Sequence, residues 1–395
     1  MRTPFPEPGT PEDMQLAARL VVDGVLPEST VRAVLAKQKE LKERGKDLSI
    51  GDICHRKKWI TVSEVRWLSN PEKPPVDLLP GLVIETMLGQ GGMSKVYGAR
   101  DAQGRDVAAK VLLPSLRRKE DSLAEFRGEG ALLCSLGHEN IVKGHAVCDH
   151  DGLVYLVMER VHGRSIQEHL DINGRFQEEA ALYIILQTAR ALTHLHERGL
   201  VHRDIKPGNI LLDSDNVVKL CDLGLATQAG GEGGETTAGT AQYIAPEQAR
   251  AESGLDVRSD IYALGVTLYQ LVVGKLPFEG ETNHETMAQR LLDELRSPEL
   301  KGLGISPHLH YFVQKMMALE REVRYQSPVE LIDDIEEQIR GNKSLTAQPG
   351  KSTAGNVDLA LPFQEDRSKV VVRKPLPKGS VPPRRGPRRR RPGSR

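Results

Sequence analysis

The chain has 395 residues, 39% of them hydrophobic and 27% charged, which allows two or three domains with a sizeable core and excludes a wholly disordered protein. Its 54 basic and 54 acidic residues cancel, yet twelve basic residues and no acidic one lie from Arg367 to Arg395, so an acidic body carries a basic tail. Four cysteines (Cys54, Cys134, Cys148, Cys221) show no CxxC spacing, which argues against a disulfide framework and leaves Cys54-His55 without a second zinc-ligand pair.

The opening Met1-Arg2-Thr3-Pro4-Phe5-Pro6 lacks the apolar core of a signal peptide. No run reaches the roughly 18 apolar residues of a membrane span, and residues 264–273 are too short. The expectation is a soluble, cytoplasmic protein.

Residues 11–69 carry apolar positions at helical spacing (Leu16, Leu20, Val21; Val31, Val34, Leu35), with Pro27-Glu28-Ser29 as a helix start. The stretch from Gly24 to Val31 matches Lys58 to Val65 at an offset of 34 residues. Each copy ends one helix and starts another, which predicts a small bundle of paired helices. The pattern is similar to the N-terminal domains of bacterial secretion and pilus ATPases, some of which bind a cyclic dinucleotide. The Arg-Leu-Gly start of the nucleotide-binding version is here Ser49-Ile50-Gly51, so a docking or dimerisation module is the favoured reading. Asn70-Pro71-Glu72-Lys73-Pro74-Pro75 then reads as a stiff linker.

A strand over 82–88 runs into Gly89-Gln90-Gly91-Gly92-Met93-Ser94-Lys95-Val96, followed by a second strand, a turn at 101–104 and a third strand over 106–112. Glycines without Cβ let such a turn lie close over phosphates. A dinucleotide fold places a helix after its glycines, whereas here a strand follows. Lys110 lies in the apolar third strand and needs an anionic partner, because an unpaired buried ammonium is costly. Residues 119–136 read as a helix with Leu123, Phe126 and Leu133 on its apolar face, softened by Gly128. Two more strands lead to Met158-Glu159-Arg160-Val161, and a long amphipathic helix over 177–198 ends at Gly199.

Next comes Val201-His202-Arg203-Asp204-Ile205-Lys206-Pro207-Gly208-Asn209, with Asp222-Leu223-Gly224 one hairpin later. As chemistry, Asp204 can accept a hydroxyl proton and Lys206 can steady a transferring phosphoryl group. Asn209 and Asp222 offer oxygens to Mg²⁺. The H-R-D-x-x-x-x-N spacing resembles the catalytic loop of protein kinases. So do Val107-Ala108-Ala109-Lys110, and Gly239 to Glu247 ending in Ala245-Pro246-Glu247. The chain is most similar to the eukaryotic-like serine/threonine kinases of bacteria, over about Leu82 to Arg340.

This resemblance implies an α+β, bilobal protein-kinase fold. Its N-lobe would span 81–161 and its C-lobe 162–340, behind a helical domain (1–69) and a linker (70–80), with a disordered basic tail after 340. It places Glu129 opposite Lys110 and makes Met158 the gatekeeper. The Glu159 carbonyl and Val161 amide would read adenine, floored by Leu211. Further nucleotide contacts fall on Leu88 to Val96 (Leu88, Gly89, Gln90, Gly91, Gly92, Met93, Ser94, Lys95, Val96), Ala108, Lys110 and Ser165. Catalysis falls to Asp204, Lys206, Lys110 and Glu129, metal binding to Asn209 and Asp222, and structural anchoring to Glu247, Asp260 and Arg324. Thr236 and Thr237 are candidate phosphosites facing Arg203, each bringing about −1.5 to −2 charges. The implied cofactors are ATP and Mg²⁺ or Mn²⁺, and the implied partners are proteins bearing Ser or Thr.

Two rivals stand beside an active kinase. A pseudokinase scaffold would work by binding alone, but Lys110, Asp204 and Asp222 are all present. A small-molecule kinase would have no use for the long segment up to Glu247. The helices at 11–69 offer a surface for a protein partner or dimer. The tail, with Arg384-Arg385 and Arg388 to Arg391, would bind an acidic surface or nucleic acid, or fold back on the acidic body.

Overall fold

The computed structural model describes residues 7–224, 226–228, 241–250, 252–278 and 305–346. Four helices come first: α1 (Pro11–Val22), α2 (Glu28–Glu43), α3 (Ile50–Arg56) and α4 (Val62–Ser69). Their starts are locally encoded. Thr10 caps α1 with Pro11 at its first turn, and Ser49–Asp52 and Thr61–Glu64 form reciprocal capping boxes on α3 and α4. Ser49 is fully buried and uses its amide and hydroxyl on Asp52. Asp13 is also fully buried. It ties the bundle together by accepting from Gln38 Nε2 (2.6 Å) and the Ile50 amide (2.8 Å).

A five-stranded antiparallel sheet follows, in the order β1-β2-β3-β5-β4, from β1 (Leu82–Gln90), β2 (Ser94–Asp101), β3 (Asp106–Leu112), β4 (Gly144–His150) and β5 (Leu153–Glu159). Short α5 (Pro114–Arg117) and longer α6 (Glu120–Ser135) lie between β3 and β4, and α6 packs on β4. The helices do not sit apart from this sheet. Leu16, Leu20, Ile53, Val65, Trp67 and Leu68 share one hydrophobic cluster with Tyr97, Ala99, Val107, Ala109, Val111, Leu153 and Tyr155 of the strands. Burial at about 25 cal/mol per Å² of apolar surface makes this shared core the main attachment.

The second lobe is helical: α7 (Ile166–Asn173), α8 (Glu178–His196), α9 (Pro246–Ala249), α10 (Val257–Val273), α11 (Pro307–Met316) and α12 (Pro328–Thr346). Of the residues of α10, only Arg258 and Val273 escape burial, so it is the axis of the lobe. Gly265 lets α11 approach it, since a Cβ there would meet Met316 Cβ at 2.7 Å. The small strands are β6 (Gly163–Ser165), β7 (Leu200–Val201), β8 (Ile210–Asp213), β9 (Val218–Leu220) and β10 (Thr227–Gln228). Asn140, just before β4, donates to Gln187 Oε1 of α8 (2.9 Å) and to the Val218 carbonyl (3.0 Å), which fastens one lobe to the other. No helix among the described residues is long and apolar enough to cross a membrane.

Candidate active site

The glycine turn joins β1 to β2, closed by the Gly91 amide on the Ser94 carbonyl at 2.9 Å. No protein constraint accounts for its glycines. Gly89, Gly91 and Gly92 have ordinary φ, and a Cβ on any of them meets nothing nearer than 3.8 Å. Open space above three glycines suits the approach of another molecule to the backbone.

Beneath the turn, Lys110 on β3 is drawn between two carboxylates, Glu129 Oε1 at 2.6 Å and Asp222 Oδ1 at 2.8 Å. The Glu129 side chain is 3% exposed, that of Lys110 12% and that of Asp222 48%. Burial alone would lower the Lys110 pKa, but the charges of Glu129 and Asp222 outweigh it and hold the ammonium protonated. Burial likewise pushes Asp222 up, and Lys110 more than compensates, leaving Asp222 below its usual range. Glu129 is pushed upward, by burial first and also by the neighbouring Asp222 charge.

The catalytic loop is built on α10. Asp260 is 1% exposed and receives the His202 and Arg203 amides, each at 2.8 Å. This two-pronged anchor holds Arg203 at φ +69°. The His202 ring then accepts the Asp204 amide at Nδ1, and its Nε2 lies 3.3 Å from the Cys221 carbonyl. With Nδ1 as acceptor, Nε2 carries the proton and donates. Asp204 Oδ2 accepts from Lys206 Nζ (2.6 Å) and Asn209 Nδ2 (2.9 Å). The Cys221 amide bonds the Asn209 carbonyl at 3.0 Å, which holds Asp222 next to Asn209 in register.

These two residues fit a divalent cation. Asp222 offers a carboxylate and Asn209 an amide oxygen, and the described residues hold no cluster of three or more His, Cys, Asp or Glu suited to a metal. A cation here would complete its shell with phosphate and water oxygens, as Mg²⁺ prefers.

At the back of the cleft Met158 lies opposite Ala108 in the β3–β5 register, and Leu211 on β8 pairs with Ser165. The Val161 amide makes no backbone hydrogen bond among the described residues. Glu159 uses its carboxylate on Lys219 (2.7 Å) and the Lys143 amide (3.0 Å). Ser165 caps α7 through Glu168. Leu88 and Met93 are exposed beside the turn, while Ser94 is buried. The Lys95 side chain is turned onto the linker. It is buried, with Nζ on Glu72 of the linker at 2.9 Å. Side chains alternate along a strand, so the lysine faces opposite to its neighbours, toward the N-terminal segment. Thr236 and Thr237 lie outside the described residues. Arg203 does not, and its Nε is buried without a hydrogen-bond partner among them.

Farther off, Arg324 and Glu247 form a two-pronged pair (2.7 and 2.8 Å), joined by the Ser259 hydroxyl at 2.7 Å. The sequence reading had no role for the His202 ring. Its place in the H-R-D motif was the only signal for it.

The stretch that carries Lys110, its two carboxylates and the glycine hairpin matches the family model described as protein kinase domain, over residues 82–334. The chain belongs to the protein kinase family. This kinase is 36% identical over 259 residues to serine/threonine-protein kinase PknB of Mycolicibacterium smegmatis, and 37% identical over 259 residues to PknB of Mycobacterium tuberculosis. Each match covers 63% of this chain and 41% of the relative. A probable serine/threonine-protein kinase of Streptomyces coelicolor is 36% identical over 280 residues, 68% of this chain and 42% of the relative. The chain thus spans less than half the length of these curated relatives. The family as a whole uses ATP and a divalent metal. All three relatives match in the kinase region, and none of their names bears on the four N-terminal helices.

Proposed function

We propose that the protein is an active, cytoplasmic serine/threonine protein kinase that moves the γ-phosphoryl group of ATP to a protein hydroxyl. The observation that carries this reading is Lys110 held between Glu129 and Asp222, at 2.6 and 2.8 Å. Lys110 and the Gly89–Gly92 turn bind the phosphates, and Met158, Glu159, Val161 and Leu211 receive the adenine. Asp204 orients the substrate hydroxyl and takes its proton as the oxygen bonds phosphorus and the bond to ADP breaks. Lys206, already 2.6 Å from Asp204, lies where it can steady the charge on the moving group. Asn209 and Asp222 would hold Mg²⁺, which neutralises phosphate charge when bound. Positioning and fixed charge supply most of the acceleration.

Activation-segment phosphorylation at Thr236 or Thr237 is supported by Arg203, whose buried Nε has no partner among the described residues. The test is to incubate the purified chain with labelled ATP and Mg²⁺, or Mn²⁺, and to map the labelled residues. Label on Ser or Thr, absent in Asp204→Asn, is the expected result. No transfer under either metal would return the pseudokinase scaffold as the better account.

A further inference from the structure

The helix that carries Glu129 is poorly equipped to hold its own position. Its N-cap, Lys119, makes no side-chain capping bond, and it contains two glycines, Gly128 and Gly130, each costing about 1 kcal/mol against alanine in a helix. Gly130 has a packing reason, since a Cβ there would run into Val147. Gly128 has none, being exposed with nothing within 4 Å of its would-be Cβ. The placement of α6 must therefore come from its neighbours.

One such neighbour is the start of α4. Arg118, which closes α5 and immediately precedes the N-cap of α6, donates to the Pro114 carbonyl, the Trp59 carbonyl (3.0 Å) and Glu64 Oε2 (3.1 Å), with Glu64 Oε1 3.0 Å away in the same ion pair. Glu64 is 1% exposed, is itself part of the α4 capping box, and accepts the Thr61 amide at 2.8 Å. A second tie fixes the same end of α4 to the β4–β5 turn. The Thr61 hydroxyl donates to the Asp151 carbonyl, and the Ser63 amide donates to the Asp151 carboxylate at 2.8 Å. Gly152, at φ +84°, completes that contact, because a Cβ there would come within 2.8 Å of the Thr61 side chain. The end of α4 is thus fixed to the sheet on one side and grips the root of α6 on the other.

We propose that the N-terminal helices act as an intramolecular brace on α6, with Arg118 and Glu64 as positioning residues that keep Glu129 on Lys110. This rests on the kinase reading above and adds to it the part of the chain that sets the catalytic geometry. The path is short. Arg118 leads into Lys119, and Glu129 lies on the same helix about 14 Å farther along, at 1.5 Å per residue. Neither Arg118 nor Glu64 touches nucleotide or substrate, so the effect travels through the helix.

The full-length chain carries the test. In Arg118→Ala, kcat should fall about tenfold, the size of coupling such relays carry. Amide hydrogen exchange over 120–135 should quicken, while α8 keeps its protection. Gly128→Ala alone should leave kcat near the parent value, and in Arg118→Ala/Gly128→Ala it should restore most of the loss by stiffening α6. A merely structural role for Arg118 would lower the melting temperature without a kcat change that Gly128→Ala repairs. If Arg118→Ala does not fold, Arg118→Lys keeps the charge facing Glu64 and loses the carbonyl bonds, and its kcat should lie below the parent with the same rescue. Unchanged kcat in the folded arginine variant, or unchanged exchange in α6, overturns the brace. If the parent chain transfers no phosphate, the kinase reading fails by itself, while the exchange difference still decides the brace.

Discussion

Trp67 donates its indole N–H to the Tyr97 hydroxyl at 2.7 Å, and Tyr97 donates in turn to the Pro71 carbonyl at 2.6 Å. Both rings are almost wholly buried, at 1% and 0% exposure. The relay crosses from α4 through the linker into β2, so helices, linker and sheet are joined by polar bonds inside their shared apolar core. Burial holds the Tyr97 hydroxyl far above its ordinary pKa, so it remains a donor at any physiological pH.

Tyr97→Phe therefore strands a buried indole N–H and a carbonyl at once. The expected loss is about 1–3 kcal/mol for each group left without a partner and without water. Urea denaturation followed by tryptophan fluorescence measures it. A loss within a few tenths of a kcal/mol would mean that water replaces the hydroxyl and that the relay is not needed.

Asp260 sets the shape of the catalytic loop through two amides and no substrate contact. Asp260→Asn keeps one acceptor but presents an N–H₂ group to the other amide, which releases Arg203 from its left-handed backbone. Displacement of Asp204 by about 1 Å is enough for a roughly hundredfold fall in kcat, with KM for ATP little changed, because Lys110 and the glycine turn are built on the other lobe. Steady-state kinetics separate the two constants. A rise in KM with kcat intact would contradict this division.

Removing the central cation should act on the chemical step most of all. Lys110→Met is expected to lower kcat by about a hundred- to a thousandfold, the range for losing one preorganised charge. It should leave the fold standing, since burial pushes the Glu129 carboxyl upward and lets it take up a proton once the ammonium is gone. Calorimetric melting with and without nucleotide checks both halves. A variant turning over near the parent rate would remove Lys110 from the site.

The loop from His202 to Asn209 and the aspartate at 222 were legible because their chemistry is contiguous and their spacing specific. The strand over 106–112 was read to its exact ends, since its apolar run is bounded by a turn and by Pro114. For Lys95, position inside a glycine motif suggests a nucleotide contact but does not say where the side chain goes. Strand alternation turned its side chain onto Glu72. The contacts of Arg118 with Glu64, and of Trp67 with Tyr97, join residues 54 and 30 positions apart. Periodicity reports only neighbours on one element, so such cross-segment pairs left no trace in the sequence. The helical pairs themselves were visible. That they share a core with the kinase sheet was not, because an apolar stripe does not say what covers it.

Acid should weaken the second lobe through Glu247. Burial pushes this carboxyl up, but the hydrogen bonds and charge of Arg324, together with the Ser259 hydroxyl, outweigh it and hold the folded-state pKa below its ordinary 4.5. A carboxyl whose pKa is lower folded than unfolded contributes stability in full above the unfolded value and loses it as pH falls through the folded one. The pair is almost wholly buried, with side-chain exposures of 0% and 2%, so solvent screens little of it. Breaking one side of such a pair costs about 3–5 kcal/mol, which is the gap expected between the parent and Glu247→Gln at neutral pH. That gap should narrow as pH falls below 4.5, because the parent carboxyl becomes protonated and no longer carries the charge that the variant lacks. Unfolding free energies of both proteins, measured across the acid range, give the comparison. A gap that stays constant through the whole acid range would show that Arg324 does not depend on the charge of Glu247.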